Sequence, residues 1–200
     1  MITTKADRLA SNVNRMDKIL LSGQSVERSF DSKEEFKQSL SGLKICRLAT
    51  VPYFMVFQLK IQAEYLRDLG MQVVLVSSSG LEWSQIRAGG GLSAEIIPIP
   101  RSLSPWKDFI ALVRLIRFFI MQRFDIVHST TPKAGLLTAI AAFLARVPVR
   151  LHTFTGQPWV ALKGPMRWGS RSADRLIGIL DTRCYADSGS QAKFLVDEGI

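Results

Sequence analysis

The chain has 200 residues, of which 47% are hydrophobic, and this is enough for the core of one domain with an extension. Its formal net charge is +9, of which the first 42 residues contribute only +1. The basic excess of the remaining chain favours an anionic partner, namely phosphate, nucleic acid or an anionic membrane. The longest apolar run, residues 109–121, contains two arginines and is too short to span a bilayer, which excludes it as a transmembrane helix.

The N-terminal residues 1–42 are polar and mixed in charge, and they predict a mobile extension with one short amphipathic piece at residues 16–21. They contain no apolar segment of signal-peptide length, which predicts a cytoplasmic protein. Cys46 and Cys184 both lie in apolar, strand-like runs. This placement predicts two buried thiols in a reducing compartment and argues against a disulfide. No cysteine and histidine spacing typical of a metal site occurs, so no metal is expected.

From residue 43 onwards, predicted strands alternate with predicted helices. Gly70 closes the first helix, and Ser104 is the expected N-cap of the second, with Pro105 at its first position. The strands are nearly continuous runs of apolar residues, which is typical of a parallel sheet covered on both faces. The sequence therefore predicts an α/β fold, a doubly wound Rossmann-like parallel sheet with helices on both faces. The predicted strands are residues 43–50, 71–80, 94–100, 125–130, 148–154 and 182–188, and the helices are residues 57–70, 104–124, 132–147, 165–180 and 190–200.

Sheets of this class bind ligands beyond the carboxyl ends of their strands. Both histidines of the chain, His128 and His152, fall at such strand ends. His152 is compatible with ligand binding and equally with a hydrogen bond that caps the strand, whereas a partly buried structural role is favoured for His128. Polar residues also follow the other strands, at Thr50–Tyr53, Ser77–Gly80, Arg101, His128–Lys133 and His152–Trp159.

Lys133 opens a predicted helix, where a cation opposes the helix dipole. This position suggests an anionic ligand, although a solvated side chain is as compatible with it. The triple glycine at residues 89–91 precedes a strand and lacks a following Lys-Ser or Lys-Thr, so it predicts a connector and not a phosphate loop. No G-x-G-x-x-G follows the first strand, which disfavours a nicotinamide dehydrogenase. No G-x-S-x-G, carboxylate pair or nucleic-acid-binding module is recognised, and no nucleic-acid partner is expected.

Two rows of cations remain, and each is compatible with a solvated helix edge or with contact to an anionic membrane or a phosphate. A row of like charges on one helix face is mildly destabilising, so an anion would offset it, and Asp174 is a partial counterion for the second row. The first row is Lys107, Arg114 and Arg117, and the second is Lys163, Arg167, Arg171 and Arg175.

Three stretches resemble one known family when they are taken in order: PRSLSP with the following Asp108, DIVHSTTPKAGLL, and RLHTFTGQPW. They resemble the N-terminal lobe of glycosyltransferase family 4, the retaining GT-B enzymes. The resemblance covers residues 43–200 and is greatest to enzymes that assemble capsule, exopolysaccharide or O-antigen units on a lipid carrier. It implies two Rossmann-like lobes, of which the N-terminal one takes the acceptor and the C-terminal one holds a nucleotide sugar, generally without a metal.

The resemblance also implies roles for individual residues. His152 matches a histidine that lies against the transferred sugar and the acceptor, where it would orient and stabilise charge and would not act as a covalent nucleophile. Thr131 and Lys133 would line the same cleft, and Gly156 and Trp159 would shape the acceptor entrance. The first turn, residues 50–54, departs from the glycine-rich form of many relatives, which argues against close approach of a phosphate there. The other candidates for substrate binding are Thr50, Tyr53, Arg101, His128 and Thr153.

The family's second lobe, with its paired glutamates, is not found up to Ile200, so the chain alone is expected not to transfer sugar. The leading interpretation is the acceptor lobe of a cytoplasmic glycosyltransferase at the inner face of the cell membrane. Its partners would be a nucleotide sugar, a lipid-linked saccharide acceptor and a donor lobe on the same or another chain, and no cofactor is expected in this chain. Two alternatives remain: a non-catalytic partner subunit of a two-chain glycosyltransferase, and a nucleotide-binding protein of the flavodoxin type.

Overall fold

The computed structural model describes residues 33–84 and 92–200. Within these residues, six strands form one sheet in the order β3-β2-β1-β4-β5-β6, and every neighbouring pair is parallel. This order belongs to the doubly wound Rossmann sheet and confirms the predicted fold class. The flavodoxin type has a different order, so that alternative was wrong. The strands are β1 (Lys44–Leu48), β2 (Gln72–Ser77), β3 (Ser93–Ile96), β4 (Ile126–Thr130), β5 (Val149–Phe154) and β6 (Arg183–Ala186).

Three helices cover one face of the sheet: α3 (Pro105–Gln122), α4 (Pro132–Leu144) and α5 (Gly164–Leu180). The central helix α4 packs against both of its neighbours. Its sequence, PKAGLLTAIAAFL, is apolar after the first turn and rich in small residues, so it can approach the sheet and both helices closely. The core on this face includes Leu48, Leu115 and Val127, all with no exposed surface.

The opposite face is covered by α2, which begins at Pro52 and has three parts. An α-helical turn (Pro52–Phe54) leads into a π-helical turn (Met55–Leu59), and an α-helix (Lys60–Asp68) completes the element. The predicted helix began at residue 57, so α2 starts earlier and includes the first residues after β1. Gly70 follows with φ of +90°, and it closes the helix as predicted.

The predicted N-terminal extension ends differently in the structure. Residues 1–32, which include the predicted amphipathic piece at 16–21, lie outside the described residues, as does the triple glycine at 89–91. Lys33–Leu40 forms the helix α1, and Leu40 is buried in the core beneath α2. The folded part therefore starts earlier than residue 43, because Leu40 and Leu43 both bury apolar surface.

The two cysteines differ in their surroundings. Cys46 is buried in the central strand β1, as predicted, and both thiols are free. Cys184 is exposed, so the prediction of burial was wrong for this residue. The reason is topological, since β6 is the edge strand of the sheet. The remaining element, α6 (Gly189–Asp197), follows β6, and no helix of residues 33–84 and 92–200 is long and apolar enough to cross a membrane.

Candidate functional site

The strand order reverses direction between β1 and β4, and two threonines meet at the carboxyl ends of these strands. The hydroxyls of Thr50 and Thr131 lie 2.8 Å apart, and the Thr50 amide donates to Thr131 Oγ1 at 3.2 Å. Thr131 has φ of +77°, which is an unusual conformation for a β-branched residue. Because such strain concentrates at ligand sites, and ligands of this fold bind where the order reverses, this pair is a natural centre for the site.

His152 lies one strand further, on β5, with its side chain on the face covered by α4. Only 1% of its surface is exposed, and Nδ1 is 2.8 Å from Ser129 Oγ. Ser129 Oγ is also 3.5 Å from the Leu151 carbonyl, which is too long for a strong bond. The direction of the bond between Ser129 Oγ and Nδ1 depends on the tautomer of the ring, and the tautomer with its proton on Nε2 is the one in which the hydroxyl donates. Burial lowers the pKa of His152 to about 4, so the imidazole is neutral at physiological pH.

A glycine makes room for this imidazole. A Cβ at Gly135 of α4 would lie 2.4 Å from Cε1 and 2.8 Å from Nδ1 of His152. On its other side the ring meets Phe154 edge to face, with a centroid separation of 4.6 Å. The position of the ring is therefore fixed by a helix, a strand and one hydroxyl.

His128 lies on the opposite face of the sheet from His152. Its Nε2 is 2.8 Å from Thr153 Oγ1, and its ring centroid is 6.0 Å from that of Tyr185. Burial lowers the pKa of His128 well below its usual value, and the nearby Arg47 guanidinium adds to the shift. His128 is half-buried and its Nε2 contacts a hydroxyl, and its structural role stays a prediction.

Lys133 follows Thr131 closely and is paired within the protein. Its Nζ is 2.7 Å from Asp108 Oδ1, and it also donates to the Ser102 carbonyl. Asp108 in turn accepts from the amide of Ser104, the N-cap of α3. The cation at the start of α4 is thus balanced by a carboxylate of the neighbouring helix, and no external anion is needed to explain it.

The loop after β5 is anchored by Trp159, which has no exposed surface. Its Nε1 donates to Asp174 Oδ2 at 2.7 Å, and its ring stacks on Phe194 at 5.5 Å. Because the tryptophan ring is fully buried, it exposes no surface to an acceptor in this structure. Gly156 lies in that loop with φ of +151°, in the range that favours glycine.

The remaining predicted residues are not gathered with the others. Tyr53 is exposed in the first turn of α2, where its ring packs against Phe57 at 4.5 Å. Arg101 is exposed in the segment that connects β3 to α3. The structure thus brings Thr50 into contact with Thr131, and His128 into contact with Thr153. The imidazole of His152 is instead surrounded by residues that were not among the predicted site residues.

The two rows of cations have different environments. On α3 the three side chains Lys107, Arg114 and Arg117 are exposed. On α5, Arg171 pairs with Glu198 at 2.6 Å, and Arg175 donates to the Glu198 carbonyl at 3.1 Å.

The guanidinium groups of Arg167 and Arg171 lie over the Trp159 ring, at 5.7 and 5.8 Å. Asp174, the predicted counterion, binds Trp159 instead. Lys163 is the exposed N-cap of α5. This row is therefore committed in part to internal contacts, so its predicted function as an anion-binding surface is weakened.

Sequence reasoning missed three residues that shape the site. Ser129 and Gly135 position His152, and Arg47 lies in the sheet beside His128, only 6% exposed. Arg47 Nη2 donates to Gln62 at 3.2 Å, and burial lowers the pKa of the guanidinium to about 10. The only sequence signal was an arginine inside the apolar run LKICRLAT. Within the described residues, no group of histidine, cysteine and carboxylate side chains has an arrangement able to hold a metal ion.

Comparison with known proteins identifies one family. The sequence profile of the glycosyl transferase 4-like domain matches residues 59–189, which is more than half of the chain. A capsular polysaccharide biosynthesis glycosyltransferase, CapM of Staphylococcus aureus, is 38% identical over 103 residues, which cover 52% of this chain and 26% of that protein. An Escherichia coli UDP-Gal:alpha-D-GlcNAc-diphosphoundecaprenol alpha-1,3-galactosyltransferase is 41% identical over 56 residues, which cover 28% of this chain and 14% of that protein. The matched part is thus about a quarter or less of the length of these relatives.

The fold is shared with sugar-nucleotide enzymes of more than one kind. The structure of a putative UDP-N-acetylglucosamine 2-epimerase from Listeria monocytogenes has a TM-score of 0.62 over 80% of this chain and 42% of that chain, at 11% identity. Such a likeness concerns the fold alone. The family match, and not the fold, is therefore what points to sugar transfer.

Proposed function

We propose that this chain, which belongs to the glycosyl transferase 4-like family, forms the acceptor-binding lobe of a glycosyltransferase. The reaction is transfer of a sugar from a nucleotide sugar to a lipid-linked or polysaccharide acceptor, with retention of anomeric configuration. The single observation that carries the proposal is the edge of the sheet at the β1/β4 reversal. There the hydroxyls of Thr50 and Thr131 lie just beyond β1 and β4, and the neutral imidazole of His152 lies on the adjacent strand β5, two residues before its end.

The chemistry available at this edge is hydrogen bonding by neutral groups. In the tautomer in which the Ser129 hydroxyl donates to Nδ1, which our proposal adopts, the Nε2–H of His152 is a donor for a sugar hydroxyl or for oxygen charge that develops during transfer. Its hydrogen-bond partner is a hydroxyl and not a carboxylate, so it lacks the partner that activates a basic imidazole. We therefore assign His152 the role of orienting and stabilising the reacting groups, and not that of a nucleophile.

The substrate class is supported by the relatives. One relative's name specifies a UDP-sugar donor and a diphosphoundecaprenol-linked acceptor, and the other is a capsular polysaccharide enzyme. In our proposal this lobe takes the lipid-linked acceptor on the cytoplasmic side of the membrane. The nucleotide sugar is held by a second lobe, on the same or another chain.

A membrane-facing surface is supported by the outer side of α3. Trp106 is 73% exposed, Phe109 is 55% exposed, and the two rings stack with centroids 6.1 Å apart. Arg114 and Arg117 are exposed further along the same helix, and the one acidic residue of the helix, Asp108, is paired with Lys133. Exposed aromatic and cationic side chains without free acids are typical of a helix that lies on an anionic membrane.

Turnover tests the proposed function directly. The native protein, isolated from its own cells, is incubated with radiolabelled UDP-hexoses and GlcNAc-diphosphoundecaprenol, and label is counted in the lipid phase. We expect His152→Ala to lower the rate by about 100-fold, the scale typical of losing a positioned polar group. Tyr65→Phe, an exposed change on α2, is the control and should leave the rate unchanged. An unchanged rate for His152→Ala contradicts the role of the histidine, and absence of any transfer in the presence of the second lobe, on the same chain or on a co-purified partner chain, contradicts the proposal.

Liposome flotation tests the membrane surface. We expect Trp106→Ser with Phe109→Ser to weaken binding to anionic vesicles at least about tenfold, since each exposed aromatic side chain contributes on the order of 1.5–3 kcal/mol when buried. Ile61→Ser with Tyr65→Ser removes two exposed apolar side chains from the opposite side of the sheet and serves as the matched control. Equal effects of the two pairs would contradict a specific role for α3.

A further inference from the structure

A groove of about 440 Å³ lies between the segment that follows β3 and the first half of α3. Its apolar lining is Pro98, Ile99 and Pro100 on one side and Ile110 on the other. Lys107 and Arg114 line the same groove. They lie three residues before and four residues after Ile110, and therefore on the same face of α3. The groove therefore combines an apolar lining with two cations.

The wall of the groove is rigid. The Ser78 side chain both accepts from the Ile99 amide at 2.8 Å and donates to the Ile99 carbonyl at 2.9 Å. The prolines on either side of Ile99 have fixed φ and no amide hydrogen. A ligand thus meets a preformed surface, which lowers the entropic cost of binding.

The two cations have no counterion among the residues that the structure describes. Within residues 33–84 and 92–200, neither Lys107 nor Arg114 takes part in an ion pair or a side-chain hydrogen bond, and no acidic residue lines the groove. A purely apolar ligand would leave both charges unused, whereas a small anion alone would leave the apolar lining without contact. The charge and the lining together fit an anionic head on an apolar chain.

The groove is continuous with the two surfaces described above. Trp106 and Phe109, which form the proposed membrane-facing surface, each precede a groove residue by one position on α3. On the other side, Asp108 contacts Lys133, which follows the threonine pair at the β1/β4 reversal. The groove therefore lies on the same helix as the proposed membrane-facing surface and as the carboxylate that pairs with Lys133.

We propose that this groove binds the diphosphate and the first isoprene units of a polyprenyl-diphosphate-linked saccharide acceptor. Lys107 and Arg114 hold the diphosphate, and Pro98, Pro100 and Ile110 contact the isoprene units. This inference rests on the proposed function and names where the lipid part of the acceptor binds.

The test uses the whole chain and farnesyl diphosphate, a soluble short polyprenyl diphosphate without sugar, with binding followed by tryptophan fluorescence and calorimetry. We expect Arg114→Ala to raise the Kd by about tenfold, the loss of one charge-assisted contact. Arg117→Ala is the matched control, with the same charge change on the same helix outside the groove, and it should change the Kd less than about threefold by long-range electrostatics. Ile110→Ala should raise the Kd for farnesyl diphosphate and leave that for inorganic diphosphate unchanged.

Four outcomes would overturn the inference: no binding of farnesyl diphosphate, equal effects of the two arginine variants, equal affinity for inorganic diphosphate, or binding to anionic vesicles alone. The sugar-transfer assay separates this inference from the proposed function. Sugar transfer by a protein whose Arg114→Ala variant binds farnesyl diphosphate normally would refute the role of the groove and support the proposed function. Farnesyl diphosphate binding that depends on Arg114, in a protein that transfers no sugar, would support the role of the groove and refute the proposed function.

Discussion

Replacing Gly135 by alanine tests whether the glycine in α4 is required by the imidazole of His152. The added Cβ would lie 2.4 Å from Cε1 and 2.8 Å from Nδ1 of His152, and 3.1 Å from Ile177 Cδ1. Carbon atoms in contact prefer separations of about 3.5–4.0 Å, so the ring or the helix must move by about 1 Å. Such a movement breaks the 2.8 Å hydrogen bond between Nδ1 and Ser129 Oγ.

The expected change in the free energy of unfolding is the sum of two unfavourable contributions and one favourable contribution. Overpacking costs about 1–3 kcal/mol, and the lost hydrogen bond costs about 0.5–1.5 kcal/mol. Alanine in a helix interior returns about 1 kcal/mol relative to glycine. We therefore expect Gly135→Ala to lower the free energy of unfolding by about 2 kcal/mol, although propensity alone predicts an increase.

Gly169→Ala is the matched control. Gly169 lies inside α5, and a Cβ there meets no atom within 4 Å. We expect this variant to gain up to about 1 kcal/mol from helix propensity alone. Both free energies are measured by urea denaturation followed by tryptophan fluorescence and circular dichroism. If Gly135→Ala were as stable as Gly169→Ala, the close contact with His152 would not exist in solution, and the argument for a fixed imidazole would fail.

Three further predictions concern the same edge of the sheet. First, the Cε1 proton resonance of His152 should not titrate between pH 5.5 and 8, since its pKa is about 4. The unfolded imidazole binds a proton below about pH 6.5, so His152 lowers the free energy of unfolding as the pH falls from about 6.5 to 4. This decrease should be less steep in His152→Gln than in the wild type. Second, Trp159→Phe should lower the free energy of unfolding by about 1–3 kcal/mol because it leaves the buried Asp174 carboxylate without its donor, and Asp174→Asn should reduce that loss in a double-mutant cycle. Third, Thr131→Val should cost about 0.5–1.5 kcal/mol through its lost bond to Thr50, whereas Thr131→Ser should keep the bond, and urea denaturation distinguishes the two.

The sheet could be predicted because its strands are nearly continuous apolar runs between glycines, prolines and polar turns. The start of α2 could not, because residues 51–56 are apolar without helical periodicity, and the helix there contains a π-turn that no sequence pattern marked. Exposure of Cys184 also escaped prediction, because the apolar character of β6 does not reveal that the strand lies at the edge.

The side-chain partners of the site depend on register and helix packing, which a single sequence does not contain. Ser129 meets His152 because β4 and β5 pair with these two residues opposite each other. Lys133 meets Asp108 because α3 and α4 are neighbours, although the residues are 25 positions apart. The positions of the predicted strand ends therefore indicated which residues lie at this edge of the sheet. The hydrogen-bond and ion-pair partners of these residues could be found only from the tertiary structure.

The distribution of charge separates two tasks within the proposed lobe. Lys107 and Arg114, which are unpaired within the described residues, lie on α3, whereas the carboxyl-end edge of the sheet carries hydroxyls, a buried neutral histidine and a lysine already paired with Asp108. A cationic imidazole at His152 would attract the diphosphate of an acceptor to the position that the sugar hydroxyl must occupy. Burial keeps the imidazole neutral, so electrostatic attraction favours the groove for the diphosphate and leaves the strand ends to hydrogen bonding. Gln157 lies three residues after the end of β5, where its side chain accepts from Gln191 Nε2. Gln157→Lys should therefore raise the affinity for inorganic diphosphate and lower the rate of sugar transfer, and an unchanged rate would show that charge at this edge does not direct the acceptor.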